Sequence, residues 1–127
     1  MATATLTLTV TDHWSDGKRI HVIGQISIGA GDYVAGGLTL NFQSDLIKSN
    51  AVPTFVTILG QTYYTGSVAE DWLFRYVNGT TIANGKVAIF TVPQTEISGA
   101  INASLVAEKI VVYAVFPKFI NNTRPLF

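Results

Sequence analysis

Cysteine is absent from the 127 residues, which excludes a disulfide framework, a thiolate nucleophile and any Cys-ligated zinc or iron–sulfur site. Charge is also scarce. Only 13% of the residues are Asp, Glu, Lys or Arg, against roughly 25% in an average soluble domain. The 8 basic and 8 acidic side chains cancel, so the chain lacks the clustered positive charge with which proteins hold nucleic-acid phosphates or anionic lipid. Neither nucleic acid nor membrane is expected as a partner. No apolar run approaches the ~18–20 residues that span a bilayer, the longest lying near Ile110–Phe116. The opening Met1-Ala2-Thr3-Ala4-Thr5-Leu6 has neither the basic start nor the apolar core of a secretion signal. Synthesis and assembly in the cytoplasm are therefore expected.

Hydrophobic residues, by contrast, make up 48% of the chain. A chain of this length forms one domain, and a small domain has much surface to cover. With few charges and no net charge, such a domain is poorly protected against self-association. The composition reads as that of an assembly component, part of whose surface is covered by another subunit. The plainer alternative is a β-rich monomer solubilised by Thr, Ser, Asn and Gln.

Ala4, Leu6, Leu8 and Val10 alternate with Thr5, Thr7, Thr9 and Thr11, the period of a half-buried strand. Asp16-Gly17 follows as a hairpin signal, and Ile20, Val22, Gly24, Ile26 and Ile28 resume the alternation. The Gly-rich stretch Gly29 to Gly37 interrupts it as a shaped loop. Leu38, Leu40 and Phe42 alternate next, and further strands are expected at Val52 to Leu59, Gln61 to Thr65, Trp72 to Val77 and Lys86 to Val92. Asn78-Gly79 and Asn84-Gly85 punctuate the last two. A short helical turn is expected in Gln94 to Ala100, capped by Thr95 and stopped by Gly99. Glu108 to Phe116 is the final strand, ended by Pro117, which cannot donate to a ladder. The fold expected is all-β, an antiparallel β-sandwich or barrel of about eight short strands. It should occupy residues 1–117, followed by an extended C-terminal arm at 118–127 that docks on its own sheet or on a neighbour.

Groups suited to chemistry are few. His13 and His21 flank the Asp16-Gly17 turn and could face each other across the hairpin, with Asp12 and Asp16 nearby, yet the spacing matches no zinc or Ca²⁺ pattern. Neither a metal nor a cofactor is expected. Ser15 lacks the strand–turn–helix elbow of a serine nucleophile. Glu70 and Asp71 are adjacent and, if extended, point to opposite faces, unlike the facing carboxylates of a glycosidase. The Gly29 to Gly37 loop lacks the Lys-Ser/Thr ending of a phosphate cradle. Tyr63, Tyr64, Trp72, Phe74 and Tyr76 could form a sugar- or base-stacking platform, although the same period-two aromatics also suit a core with cross-strand pairs.

The succession of Trp14, Asp16-Gly17, a strand through Gly24 and then Gly31-Asp32-Tyr33-Val34-Ala35-Gly36-Gly37-Leu38-Thr39-Leu40 resembles small structural proteins of tailed bacteriophages. Most of all it resembles the capsid decoration, or cement, proteins of aquatic and cyanobacterial phages. The likeness covers about Val10 to Phe42, and the apolar tail after Pro117 departs from it.

That resemblance implies a non-enzymatic virion protein on the exterior of an icosahedral capsid, clamping neighbouring copies of the major capsid protein and assembled in the host cytoplasm. A homo-oligomer, dimer or trimer, on the capsid is expected with it. The interaction residues expected are Tyr33, Val34, Gly36 and Gly37, in a loop that either packs the sandwich or meets the shell, and Phe119, Ile120, Leu126 and Phe127 in the arm. Strand addition by the Thr-rich first segment is a further mode of docking. Alternatives are another virion component, such as a head fibre, collar or tail subunit, and a carbohydrate-binding sandwich using Trp72 and its aromatic neighbours.

Overall fold

A computed structural model describes residues 2–44, 46–47, 49, 51–60, 72–91, 95–101, 103–106 and 109–118. Among them, eight strands and one helical turn follow in the order β1 (Leu6–Ser15), β2 (Arg19–Ile28), β3 (Leu38–Leu40), β4 (Phe55–Gly60), β5 (Trp72–Val77), β6 (Gly85–Thr91), β7 (Thr95–Glu96), α1 (Ala103–Val106) and β8 (Ile110–Pro117). They form two antiparallel sheets, as the alternation predicts. The first has the order β1-β2-β8-β4; in the second β6 lies between β3 and β5 and also pairs with β7. β4 runs beside β5 and β1 beside β3, so the sheets approach each other at both flanks.

The core sits between the sheets. Ile20, Val22, Ile26 and Ile28 of β2 are buried, and Ile110, Val112, Ala114 and Phe116 of the neighbouring β8 continue their layer. Leu38, Leu40, Phe42, Val87 and Ile89 bring the opposing layer. Each such side chain taken out of water stabilises the fold by about 1.5–3 kcal/mol. Phe116 meets Phe42 edge-on at a centroid distance of 5.1 Å. Odd-numbered residues of β2 and β8 face outward, which places His21, Ile23, Val111 and Tyr113 on the outer surface of the first sheet.

Three expectations change. β4 begins at Phe55 and not at Val52, because Pro53 has no N–H to give; the first bond to β8 comes from Thr54 N–H to the Val115 carbonyl at 2.7 Å. Thr95 does not cap a helix. Thr95 and Glu96 form β7 against Thr91 and Phe90, and the helical turn comes later, at Ala103–Val106. Past the short β3, which pairs only with Gly85–Val87, β6 still offers ladder hydrogen bonds, continued by Ile97 N–H to Ile89 O at 3.0 Å, and these outweigh a weak local preference. Lastly, Trp72 is buried and Phe74 and Tyr76 pack against the core, so they form no stacking platform. Tyr63, Tyr64, Glu70, Asp71, the expected strand at 61–65 and arm residues 119–127 lie outside the described residues.

Candidate functional site

The first hairpin determines what the outer surface carries. Val10 pairs with Gly24, and a regular ladder continued from there would bring His13 opposite His21. Instead Thr11 is an extra residue: Asp12 pairs with Ile23, His13 with Val22 and Trp14 with His21. This is a β-bulge. The Thr11 hydroxyl donates to the Ile23 carbonyl at 3.0 Å and holds it. Gly24 is the residue that permits it, since a Cβ there would lie 2.7 Å from the Thr9 carbonyl oxygen. The bulge therefore sets the two histidines on opposite faces and gives His21 an indole as its cross-strand neighbour. Among the described residues no group of three or more His, Asp or Glu side chains could hold a metal.

Around His21 the side chains form a hydrogen-bonded and stacked cluster. Its Nε2 lies 2.7 Å from Asp16 Oδ2, and its Nδ1 lies 2.7 Å from the Tyr113 hydroxyl. A carboxylate only accepts, so Nε2–H donates to Asp16, and in the neutral ring Nδ1 accepts from Tyr113. The two rings lie 13° from parallel with centroids 6.0 Å apart, joined through that bond, and the Trp14 indole lies across both, 4.9 Å from His21 and 6.4 Å from Tyr113. Asp16 is held below its ordinary carboxyl pKa by His21 first and by the Arg19 and Lys18 amides after it. The same amide bonds, 2.9 Å from Arg19 and 3.3 Å from Lys18, fix the hairpin turn.

Phe55 of β4 extends the row, meeting Tyr113 edge-on at 6.1 Å. One line of aromatic rings thus crosses all four strands, from Trp14 through His21 and Tyr113 to Phe55. Trp14 is 42%, Phe55 51% and Leu59 60% exposed, and the half-buried Ile23 and Val111 lie on the same face. Exposed large apolar side chains gathered in one patch mark a contact surface more often than scattered ones do. The outer face of the second sheet differs: Leu73 and Val77 alternate with Arg75, and Lys86 stands opposite Val77.

The loop expected to interact divides into two roles. The Tyr33 hydroxyl donates to Glu96 Oε2 at 2.5 Å and accepts from the Ile89 amide at 3.1 Å, while the Gly36 amide donates to the same Glu96 oxygen at 2.8 Å. Burial, then the Glu96 carboxylate, pushes the Tyr33 phenol up to about 12, and Glu96 is held low by the Tyr33 and Gly36 donors. Gly37, at φ +122°, lies where a Cβ would be 2.8 Å from the Val87 backbone. Tyr33 and Gly37 pack the sandwich, whereas Val34 and Gly36 remain exposed. Val34 and Gly37 also border a groove of about 380 Å³ between Thr5–Leu6 and Leu38–Thr39.

The aromatic row escapes sequence reasoning because His21 and Tyr113 stand 92 positions apart. Only the strand order joins them. Trp14 and the Asp16-Gly17 turn are visible in the sequence, but a one-residue bulge leaves no mark in composition. Comparison with family models, with curated proteins and with solved structures finds no match.

Proposed function

We propose that this chain is a non-enzymatic structural protein of a phage virion, decorating the exterior of an icosahedral capsid by bridging major capsid protein subunits through the outer face of its four-stranded sheet. The observation that carries the reading is the set of exposed Trp14, Phe55 and Leu59 side chains on one outer face of a four-stranded sheet. A preorganised apolar face loses little conformational entropy on docking. The scarcity of charge and the resemblance of Val10 to Phe42 to capsid decoration proteins point the same way. A protein that binds only the assembled lattice stabilises it by RT ln(1 + [L]/Kd) per site, and many sites on one shell add up.

Adsorption to purified heads lacking the protein tests this. Saturable co-sedimentation, with heads that resist heat better once decorated, is the expected result; a protein that stays in the supernatant overturns the reading. A second reading has one observation in its favour: Trp14 presents an indole on a His21–Tyr113 base, as a sugar-stacking platform would. Saturable binding on a glycan array, abolished by Trp14→Ala, would select it instead.

A further inference from the structure

The outermost strand of the first sheet has an unpaired edge whose geometry is unusually well defined. Gly29 N–H donates to Thr5 O at 2.9 Å, which marks Thr5 as a residue whose main-chain groups face β2. By the alternation of an antiparallel ladder Thr7 and Thr9 face β2 as well, and Leu6 and Leu8 turn their N–H and C=O groups to the other side. No strand pairs there among the described residues, since β1 ends the sheet. The open stretch has two limits. Ala4 N–H takes the Asp32 carbonyl at 2.9 Å at one end, and the Thr11 bulge lies at the other.

Proteins guard such edges with proline, lysine or inward-pointing charge. β1 carries no Pro, Lys or Arg, and its one acidic residue, Asp12, lies beyond the bulge. Its inward side chains are also incompletely covered. Leu6, Leu8 and Val10 are half-buried, while Ile28 and Ile26, the partners of Leu6 and Leu8 on β2, are buried.

We propose that β1 pairs antiparallel with β1 of a second copy about a two-fold axis at Leu8, joining the two four-stranded sheets into one continuous sheet. In this register Leu8 meets the second copy's Leu8, Leu6 meets Val10, and the exposed Thr7 meets Thr9. Between the two limits the residues that turn their main-chain groups outward are Leu6, Leu8 and Val10, a set centred on Leu8, and only the register about Leu8 pairs all of them. The pairing completes the cover over Leu6, Leu8 and Val10 and sets the two aromatic rows on the same side of one sheet. It rests on the assembly reading proposed above and gives that reading its oligomer.

Charge placement tests the register without touching the core, because Thr7 and Thr9 are exposed. Light scattering should give twice the chain mass for the wild type. Thr7→Lys with Thr9→Lys sets like charges opposite each other twice, and the dimer should weaken at least tenfold. Thr7→Lys with Thr9→Glu makes both pairs complementary and should restore it. Circular dichroism should report the same folded sheet in all three proteins. A monomeric wild type, a dimer indifferent to the double lysine, or a Lys/Glu variant that stays monomeric would each overturn the pairing. A monomer that still coats capsids defeats the pairing alone, whereas a dimer that ignores capsids defeats the decoration reading alone.

Discussion

Tyr76 carries a buried hydroxyl with no hydrogen-bond partner among the described residues, and burial raises its pKa. The ring is well placed, 5.7 Å from Phe42, and Gly85 leaves room for the oxygen. An unsatisfied buried hydroxyl costs about 1–3 kcal/mol. Tyr76→Phe is therefore predicted to raise stability by about 1 kcal/mol in urea denaturation, and a lower midpoint would mean that the hydroxyl is satisfied. The Tyr33–Glu96 pair makes two pH predictions. The folded pKa of Glu96 lies below its ordinary 4.5, so its contribution is present above that value and lost as pH falls through the folded one. Glu96→Gln should flatten the acid limb of the stability profile. Tyr33 is raised from 10.0 to about 12, so its contribution is full below pH 10 and lost as pH rises toward 12. Tyr33→Phe should remove that alkaline loss, and an unchanged profile would show that the phenol does not titrate with folding.

Elements differ in how far the sequence announces them. β2 is legible because Ile20, Val22, Ile26 and Ile28 alternate with outward residues, and β8 because a continuous run rich in β-branched and aromatic residues stops at Pro117. The hairpin between β1 and β2 is legible in Asp16-Gly17. β7 is not, since two residues are too short to show a period; Thr95 and Glu96 become a strand by pairing back on the adjacent β6, and the Glu96 carboxylate is held by Tyr33, which is distant in sequence. The bulge is equally hidden, and with it the placement of Trp14, because the register of Asp12 to Ser15 can be read only once Thr11 is known to stand outside the ladder. Deleting Thr11 should then be tolerated, because Asp12 to Ser15 keep their partners Ile23 to Ile20 in a regular ladder. A cooperative melt with Trp14 fluorescence unaltered is the expected outcome. Loss of the fold would show that the bulge itself holds the hairpin.

At the scale of the whole molecule, the scarcity of charge and the exposed aromatic row describe one property. A small sandwich buries its core between two sheets and still leaves Trp14, Phe55 and Leu59 in water on one outer face. The loop of Tyr33 and Gly37 closes the sandwich, while the surface that resembles a contact lies across β1, β2, β8 and β4. Composition raises the expectation of a covered surface, and the strand order gathers Trp14, Phe55 and Leu59 on one face. The most direct measurement is the binding isotherm of the Trp14→Ser, Phe55→Ser double variant on purified capsids lacking the protein, beside the wild type. Both side chains lie on the outer face, outside the core between the sheets, so the variant should keep a cooperative melt while its affinity falls at least tenfold. Equal binding by the two proteins would contradict the assignment of this face as the docking surface.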